Sequence, residues 1–290
     1  MLKDEAILTI IRGALKEDIG RGDITSSIVI PPGFKVSACI YFKEDGVLCG
    51  ADIAETVFSL LSADIRIKVN AKDGDFIEKG KAIIYLEGPA NAILSGERVA
   101  LNFLGHLSGI ATKTRMYADK LKPFNVMLMD TRKTTPNLRI LEKYAVKSGG
   151  GHNHRFGLFD QVLIKDNHLA ILKRNSKNKI KPFIESAVKD ARKKVTKNVK
   201  VEIEISNLEE FKKVLSSNPD IIMLDNMPPA VIKEAVILRN THKPKILLEA
   251  SGGITLDNIS EYAKTGVDMI SVGALTHSVK SIDVSLEIVG

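Results

Sequence analysis

The sequence has little of what disulfide-linked, membrane-spanning and base-stacking proteins need. Its two cysteines, Cys39 and Cys49, lie in no metal-ligand spacing, so we predict that both are reduced thiols. It has no tryptophan and 5% aromatic residues, which leaves few side chains for stacking on single-stranded nucleic acid. No apolar run approaches the ~20 residues of a membrane span, and residues 1–20 lack the apolar core of a signal peptide. We therefore expect a cytoplasmic protein without a membrane partner.

The remaining composition is that of a globular, mildly basic chain. Its 290 residues are 44% hydrophobic, enough for a sizeable core in one large domain or two smaller ones. Lysine and arginine number 42 against 35 aspartates and glutamates, and the net charge of +7 would suit an anionic ligand. The basic run at 173–182 is typical of a solvated surface. Nonspecific nucleic-acid binding is the weaker alternative, which steep salt dependence with long DNA would support, and we expect no nucleic-acid partner.

The N-terminal part of the chain alternates between helix and strand signals. Residues 5–17 carry apolar side chains at helical spacing. Segment 36–50 has the pattern of two strands around an Asp-Gly turn, and segment 51–62 that of a helix. Segment 65–88 has the pattern of strand, turn and strand. We therefore predict an α+β domain with an antiparallel sheet over residues 1–105.

Short apolar runs that end in polar or small residues dominate the rest of the chain. They recur roughly every 20 to 40 residues, which matches the ~30-residue βα unit. The runs span 125–130, 159–166, 201–206, 221–226, 245–253 and 269–274. An open sheet would concentrate function at one switch point, whereas a barrel brings all strand ends to one mouth. Because every run ends in a chemically useful group, we predict an incomplete (β/α) barrel of six to seven strands over residues 106–274.

Glycine-containing turns follow the last two of these runs, at 251–253 and 272–274. Small residues let backbone N–H groups approach an anion closely, and a following helix adds the positive end of its dipole. Glycine at a strand-to-helix turn more often serves a positive φ, so either turn alone is weak evidence. The two together predict a phosphate site.

Cations gather at the other strand ends. Arg132 and Lys133 are adjacent like charges directly after a buried run, which indicates either a solvated turn or a bound anion. His152 and His154 have a spacing that a metal ion could use, but no third ligand follows, and the neighbouring Arg155 favours an anion. Lys165 alone would suit a Schiff base. A polyanionic substrate explains all four cations together.

Carboxylates end two successive runs. Glu204 and Asp225 can therefore point into the same mouth, where they would hold Mg²⁺ or stabilise a positive charge that develops on the substrate. The simpler alternative is that they are counter-ions for the nearby cations. Glu202 lies two residues before Glu204, on the same side of the strand and deeper in the barrel, where it would support the site.

Nine motifs, in order along the chain, resemble those of the quinolinate phosphoribosyltransferase family, the carboxylating nicotinate-nucleotide pyrophosphorylases of NAD synthesis. They are EDIGRGDITS, SGERVALNFLGHLSGIAT, DTRKTTP, GGGHNHR, LIKDNH, VEIEIS, IIMLDN, EASGGI and ISVGALTHS. The resemblance covers nearly the whole chain. It implies an N-terminal α/β sandwich, which the segment 275–290 would rejoin, and an incomplete α/β barrel. It also implies a homodimer, or a hexamer built from such dimers, in which each barrel mouth faces the partner's N-terminal domain.

The resemblance also implies roles for individual residues. The dicarboxylate pocket would consist of Arg98 from the neighbouring subunit, Thr131, Arg132, His154 and Arg155. The catalytic groups would be Lys133, Lys165, Glu204 and Asp225, with the last two beside the ribose and Mg²⁺. The 5-phosphate would be bound by Ser251, Gly252, Gly253, Val272, Gly273 and Ala274, with His277 close to it.

The implied reaction transfers the phosphoribosyl group of 5-phosphoribosyl 1-pyrophosphate to quinolinate with decarboxylation, and it needs Mg²⁺ but no organic cofactor. One departure is Asn137, where the family often has glycine. Asparagine tolerates positive φ, so we expect the turn to be kept. Two alternatives stay open. One is a relative associated with molybdate transport, which shares the fold and acts on another acceptor. The other is a carrier domain, because segment 73–88 is similar to biotinyl and lipoyl hairpins, although it lacks an exposed lysine at its tip.

Overall fold

A computed structural model describes residues 4–175 and 183–289 of the chain. The strands within these ranges are β1 (Lys35–Phe42), β2 (Gly46–Val47), β3 (Arg66–Val69), β4 (Phe76–Ile77), β5 (Ala82–Pro89), β6 (Met127–Met129), β7 (Val162–Ile164), β8 (Val201–Ile205), β9 (Ile221–Asp225), β10 (Leu247–Ser251), β11 (Met269–Ser271) and β12 (Val284–Val289).

The helices within the same ranges are α1 (Glu5–Ile19), α2 (Ile24–Val29), α3 (Ala51–Leu61), α4 (Ala90–Leu121), α5 (Arg139–Ser148), α6 (Asp166–Asn175), α7 (Phe183–Lys194), α8 (Leu208–Leu215), α9 (Pro229–His242), α10 (Ile259–Ala263) and α11 (Ala274–His277). None of these helices is both long enough and apolar enough to cross a membrane. The basic run at 173–182 begins in α6, and its residues 176–182 lie outside the described part of the chain.

The chain forms two compact units that interleave in sequence. The first consists of Met1–Arg115, Thr134–Gly150 and Leu275–Gly290. The second consists of Met116–Lys133 and Gly151–Ala274. Since these units are defined by compactness alone, the domain boundaries expected from the sequence stay predictions.

The first unit is built on a four-stranded antiparallel sheet with the order β12-β1-β5-β3. Helix α1 begins at Asp4, whose side chain accepts a hydrogen bond from the Ala6 N–H at 3.0 Å and so satisfies one free donor of the first turn. Its residues Ile7 and Ile11, one turn apart, are fully buried, and each such burial contributes about 1.5–3 kcal/mol. The predicted helix and antiparallel sheet are confirmed.

One local prediction in this unit is wrong. Both strands expected in segment 36–50 are present, but they do not pair with each other across the Asp-Gly turn. β1 lies in the four-stranded sheet, whereas β2 pairs with β4 in a separate two-stranded sheet. The two cysteines of this segment are free and buried, as the prediction of reduced thiols required.

The second unit is built on a six-stranded sheet with the order β6-β11-β10-β9-β8-β7, and its neighbouring strands are parallel. All six apolar runs predicted to be strands form it. An isolated parallel bridge joins Met129 of β6 to His152, so a single residue takes the place of a seventh strand beside β6. Within the described residues the sheet does not close, because β6 and β7 do not pair. The predicted incomplete α/β barrel of six to seven strands is confirmed.

The burial pattern of these strands explains where polar groups can lie. In β9 the four residues before Asp225 are buried, and only Asp225 itself is partly exposed. A strand covered on both faces is apolar along most of its length, so most of its polar side chains lie where it ends. Parallel strands end at one edge, and the sheet therefore collects the functional groups of the second unit there.

Candidate active site

The carboxyl ends of the parallel strands bring together most of the residues predicted from the sequence. Thr131, Arg132 and Lys133 follow β6, and Lys165 follows β7. Glu204 is the penultimate residue of β8, and Asp225 and Ser251 end β9 and β10. All of these residues belong to the second unit, so the structure describes their mutual geometry.

An acidic cluster lies at the ends of β8 and β9. Burial raises the pKa of Glu204, Lys165 lowers it, and the charges of Asp225 and Asp166 raise it further. Lys165 Nζ lies 3.7 Å from Glu204 Oε2. The repulsion between Glu204 and the neighbouring carboxylates would be relieved further by a divalent cation with oxygen ligands. The predicted magnesium ligands Glu204 and Asp225 therefore fit such an ion chemically.

A cavity opens beside this cluster. It has a volume of about 310 Å³, and its polar lining consists of Asp166, Lys173, Glu204, Ser206, Glu210 and Asp225. Apolar residues of α6, α7 and β8 complete the wall. The cavity is thus acidic at the strand ends, where the ribose and the cation of a sugar phosphate would need oxygen ligands.

Arg132 and Arg155 form a cationic pair in the same unit. Burial lowers the pKa of Arg155, and the like charge of Arg132 lowers it further. Arg155 Nη1 also donates to the carbonyl of Gln161 at 3.2 Å. Two neighbouring arginines suit a ligand that carries two carboxylates.

Lys133 follows Arg132 but has different surroundings. Its side chain is exposed, whereas Arg132 is half-buried. The Lys133 N–H donates to the Thr131 hydroxyl at 3.1 Å, which fixes the turn between them. The Thr131 side chain thus supports Lys133 through the Lys133 backbone.

His154 lies between two buried carboxylates. Its Nε2 is 3.2 Å from Glu202 Oε2 and 3.4 Å from Glu249 Oε2, and both glutamates have no solvent-exposed side-chain surface. Burial disfavours the charged ring, but the hydrogen bonds and charges of the two glutamates outweigh it and raise the pKa of His154 to about 10. These three side chains are close enough to hold a metal ion, and the group does not include His152, the other histidine of the spacing noted in the sequence.

The other ring nitrogen of His154 indicates a different arrangement of protons. The Arg155 N–H donates to Nδ1 at 2.8 Å, which requires a lone pair there and leaves the proton of a neutral ring on Nε2. The hydrogen bond defines the orientation of the ring. The raised pKa means that His154, Glu202 and Glu249 together bind one further proton tightly. The His154 N–H also donates to the buried Asp130 at 2.8 Å. His154 thereby fixes the backbone from which Arg155 projects.

The two glycine-containing turns differ in how accessible their backbones are to a ligand. Gly252 has φ 89° and Gly253 has φ 62°, both in the left-handed region, and a Cβ on Gly253 would have nothing within 4 Å. The turn after Ser251 therefore has open space for a phosphate. In the other turn Val272 is buried, and its N–H donates to the Met129 carbonyl, so Gly273 and Ala274 are the more accessible positions.

Arg98 and His277 belong to the first unit. Arg98 is exposed on α4. His277 ends α11, and its Nδ1 lies 2.7 Å from the Ser278 hydroxyl. Each is accessible, as a group that contacts a ligand must be.

Sequence reasoning missed three groups in the second unit. Glu249 precedes Ser251 by two residues on β10, which is the same spacing that marked Glu202 before Glu204, and this signal could have identified it. Gln161 donates to Glu202 Oε2 at 2.5 Å, and its lone polar side chain gave no signal. Asn226, directly after Asp225, has φ 54° and donates to the Asp225 carboxylate at 2.7 Å.

Comparison with known proteins gives matches over almost the entire chain. Residues 23–108 and 110–287 match the models of the N-terminal and C-terminal domains of quinolinate phosphoribosyl transferase. The probable nicotinate-nucleotide pyrophosphorylase (carboxylating) of Methanocaldococcus jannaschii is 46% identical over 100% of this chain and 99% of that protein. Its Bacillus subtilis counterpart is 44% identical over 94% and 90%. The nicotinate-nucleotide pyrophosphorylase structure from Francisella tularensis has a TM-score of 0.89 at 38% identity, with 98% and 96% coverage.

Proposed function

The chain belongs to the quinolinate phosphoribosyltransferase family, and from that premise we propose how its residues divide the work of the family's reaction. The protein is an enzyme, a pentosyltransferase that acts on quinolinate and 5-phosphoribosyl 1-pyrophosphate. It forms nicotinate mononucleotide, pyrophosphate and CO₂ in the de novo synthesis of NAD.

Arg132 and Arg155 bind the two carboxylates of quinolinate in this proposal. The observation that carries it is that Arg155 is buried and Arg132 half-buried in the same unit, so that burial first and the like charge of Arg132 second lower the pKa of Arg155, which a bound dianion would counteract. The His154 ring accepts a hydrogen bond from the Arg155 N–H and so holds the backbone of Arg155 in place, while the Thr131 hydroxyl accepts one from the neighbouring Lys133 N–H. The neighbouring subunit's Arg98 completes the pocket.

The sugar phosphate lies over the ends of β8, β9 and β10. Glu204 and Asp225 face the ribose, and the 5-phosphate lies on the backbone of residues 251–253 and 272–274. The positive φ and the open space at Gly253 support this placement. Lys133 and Lys165 face the pyrophosphate, since their side chains are the more exposed cations of the site.

Glu204 and Asp225 would also hold Mg²⁺, for which their carboxylate oxygens and the repulsion between their charges are suited. When bound, Mg²⁺ neutralises charge on the departing pyrophosphate. The two lysines stabilise the same group, which then leaves with the electron pair of the bond to ribose C1.

The chemistry begins when the quinolinate nitrogen forms a bond to ribose C1 as the bond to pyrophosphate breaks. Glu204 and Asp225 stabilise the positive charge that develops on the sugar. The product carries a pyridinium nitrogen beside the 2-carboxylate. CO₂ departs, its bonding electrons stay on the ring carbon next to the positive nitrogen, and a proton then replaces it.

We extend the proposal to assembly and location. The site is shared within a homodimer, and the enzyme works in the cytoplasm. The exposed position of Arg98 on α4 supports a role across a subunit interface.

The test is to measure CO₂ release and mononucleotide formation with phosphoribosyl pyrophosphate, Mg²⁺ and either quinolinate or nicotinate. Turnover with quinolinate alone, abolished by chelation and restored by Mg²⁺, is expected. Turnover with nicotinate, or turnover that survives chelation, would overturn the proposed pocket or the proposed metal respectively.

A further inference from the structure

Asn226 lies between two parts of the site that the same sugar phosphate would contact. It follows Asp225 at the end of β9 and faces the turn after β10. Its side-chain Nδ2 donates to Asp225 Oδ2 at 2.7 Å. Its backbone N–H donates to the Ser251 carbonyl at 2.8 Å. One residue is thus bonded both to a carboxylate of the site and to the start of the phosphate turn.

Asn226 also makes close contact with Gly252. A Cβ on Gly252 would lie 2.6 Å from Asn226 Cγ and 2.9 Å from its backbone nitrogen, which is closer than any side chain allows. Gly252 has φ 89°, so both its conformation and its neighbour require glycine. The Asn226 side chain occupies the space that a larger residue at 252 would need.

The backbone of Asn226 is itself in an unfavourable conformation. Its φ of 54° is in the left-handed region, where residues other than glycine are uncommon. Glycine would adopt this φ without strain but would have no side chain to bond to Asp225 or to pack on Gly252. The structure therefore combines a strained backbone with two contacts that only the amide side chain supplies.

We propose that Asn226 is a positioning residue that sets the Asp225 carboxylate and the turn at 251–253 in one geometry for the sugar phosphate. This inference rests on the proposed function, since Asp225 and the turn are assigned there to the ribose and the 5-phosphate. Asn226 acts through its neighbours and fixes the distance between two subsites. Its loss affects the binding of phosphoribosyl pyrophosphate and spares quinolinate.

Asn218 offers a matched control in the same unit. It has φ 58°, nearly the same backbone conformation, and it is exposed in the loop between α8 and β9. Asn226→Gly and Asn218→Gly relieve the same backbone strain, and Asn226→Ala and Asn218→Ala retain it. In each pair the same new residue replaces Asn226 or Asn218. A kinetic effect seen only in the Asn226 variant is therefore due to the loss of the Asn226 side chain.

The experiment measures KM for phosphoribosyl pyrophosphate, KM for quinolinate, kcat and thermal stability for the four variants and the wild-type enzyme. For both Asn226 variants we expect KM for phosphoribosyl pyrophosphate to rise about tenfold, as for other residues that orient a ligand-binding group, with KM for quinolinate within about twofold. Both Asn218 variants should retain wild-type constants. Equal shifts in both KM values, or a change in stability alone, would overturn the inference.

Asp225→Asn separates this inference from the proposed function. If Asp225→Asn raises KM for phosphoribosyl pyrophosphate and Asn226→Gly does not, Asn226 has no positioning role and the assignment of Asp225 stands. If Asp225→Asn leaves every constant unchanged, the proposed ribose site is wrong, and the inference about Asn226 fails with it.

Discussion

At the scale of single residues, Arg132 and Lys133 show how adjacent like charges can serve different anions. Arg132 is half-buried beside Arg155, whereas Lys133 is exposed one residue further on. Because the two side chains have different surroundings, two adjacent cations can face two substrates. The two adjacent positive charges repel each other in the free enzyme, and this repulsion is offset when two anionic substrates bind at the same turn.

We predict that Arg132→Ala raises KM for quinolinate about tenfold to a hundredfold, since a hydrogen bond to a charged group contributes about 1.5–3 kcal/mol. Lys133→Ala should instead lower kcat and raise KM for phosphoribosyl pyrophosphate. Steady-state kinetics with each substrate varied in turn would measure both effects. Equal, substrate-independent losses in the two variants would contradict this division.

The His154 cluster makes stability depend on pH in a definite direction. The pKa of His154 rises from 6.5 to about 10 on folding, so the folded chain binds the proton more tightly. The stability that this proton contributes is fully present below pH 6.5 and is lost as the pH rises through about 10.

We predict that Glu249→Gln removes part of this dependence, because one of the two carboxylates that raise the pKa of His154 is gone. The free energy of unfolding in urea, measured near neutral pH and near pH 10, should fall less between the two conditions in the variant than in the wild type. Glu209→Gln, at an exposed glutamate paired with Lys213, is the control and should retain the wild-type dependence. An unchanged dependence in Glu249→Gln would show that Glu249 does not hold the proton.

Most of the residues proposed for the candidate site could be named from the sequence, because several charged groups that follow successive buried strands meet at one edge of a parallel sheet. Glu249 was missed although its spacing before Ser251 matches that of Glu202 before Glu204, because no local pattern pairs it with a histidine. Its pairing with His154 depends on a loop more than ninety residues earlier in the chain. Asn137 was predictable for a local reason: its φ of 66° confirms that the turn is kept without glycine.

At the scale of elements, the Asp-Gly pair in segment 36–50 shows the limit of local signals. Gly46 is buried, and a Cβ there would lie 2.9 Å from Ile282 Cδ1 and 3.0 Å from the Thr112 hydroxyl. Asp45 accepts a hydrogen bond from the Lys79 N–H at 2.8 Å. Packing against distant segments thus decided where β2 pairs, and no short-range pattern contains that information. The parallel strands were predictable because their apolar runs must be buried on both faces.

Alanine substitutions at two helical glycines should change the stability of the protein in opposite directions. A Cβ on Gly13 of α1 would have nothing within 4 Å, so Gly13→Ala should stabilise the chain by about 0.5–1 kcal/mol through helix propensity. A Cβ on Gly109 of α4 would collide with the Lys280 carbonyl and lie 2.9 Å from Val279 Cγ1. Gly109→Ala should therefore destabilise it by about 1–3 kcal/mol.

Urea unfolding of both variants measures this contrast, because each replaces a helical glycine of the first unit by alanine. The same sign of change in both would mean that close packing around Gly109 does not decide the outcome.

At the scale of the whole molecule, the proposed sharing of sites between subunits has a direct test. Arg98→Ala and Glu204→Gln should each inactivate the enzyme, one through the partner's pocket and the other through its own barrel. In a mixed dimer one of the two sites would then contain both wild-type residues. Random exchange of subunits should restore about a quarter of wild-type activity, since about half of the dimers are mixed and each has one intact site.

The measurement is activity after the two inactive variants are mixed under conditions that allow subunit exchange. A mixture of Glu204→Gln with Asp225→Asn, whose changes lie on the same barrel, is the control and should stay inactive. No recovery in the first mixture, with exchange demonstrated by a tagged subunit, would place Arg98 and Glu204 in the same subunit's site.

The pairing of β12 with β1 has a consequence for how the protein is made. β1 is an inner strand of its sheet, yet one of its two neighbours is the last strand of the described chain. During synthesis β1 leaves the ribosome long before β12 and must wait with one row of backbone donors and acceptors unpaired. An unpaired strand edge binds other edges, so nascent and prematurely terminated chains are the forms of this protein most exposed to aggregation. Chaperone demand should therefore peak late in translation and fall when β12 emerges.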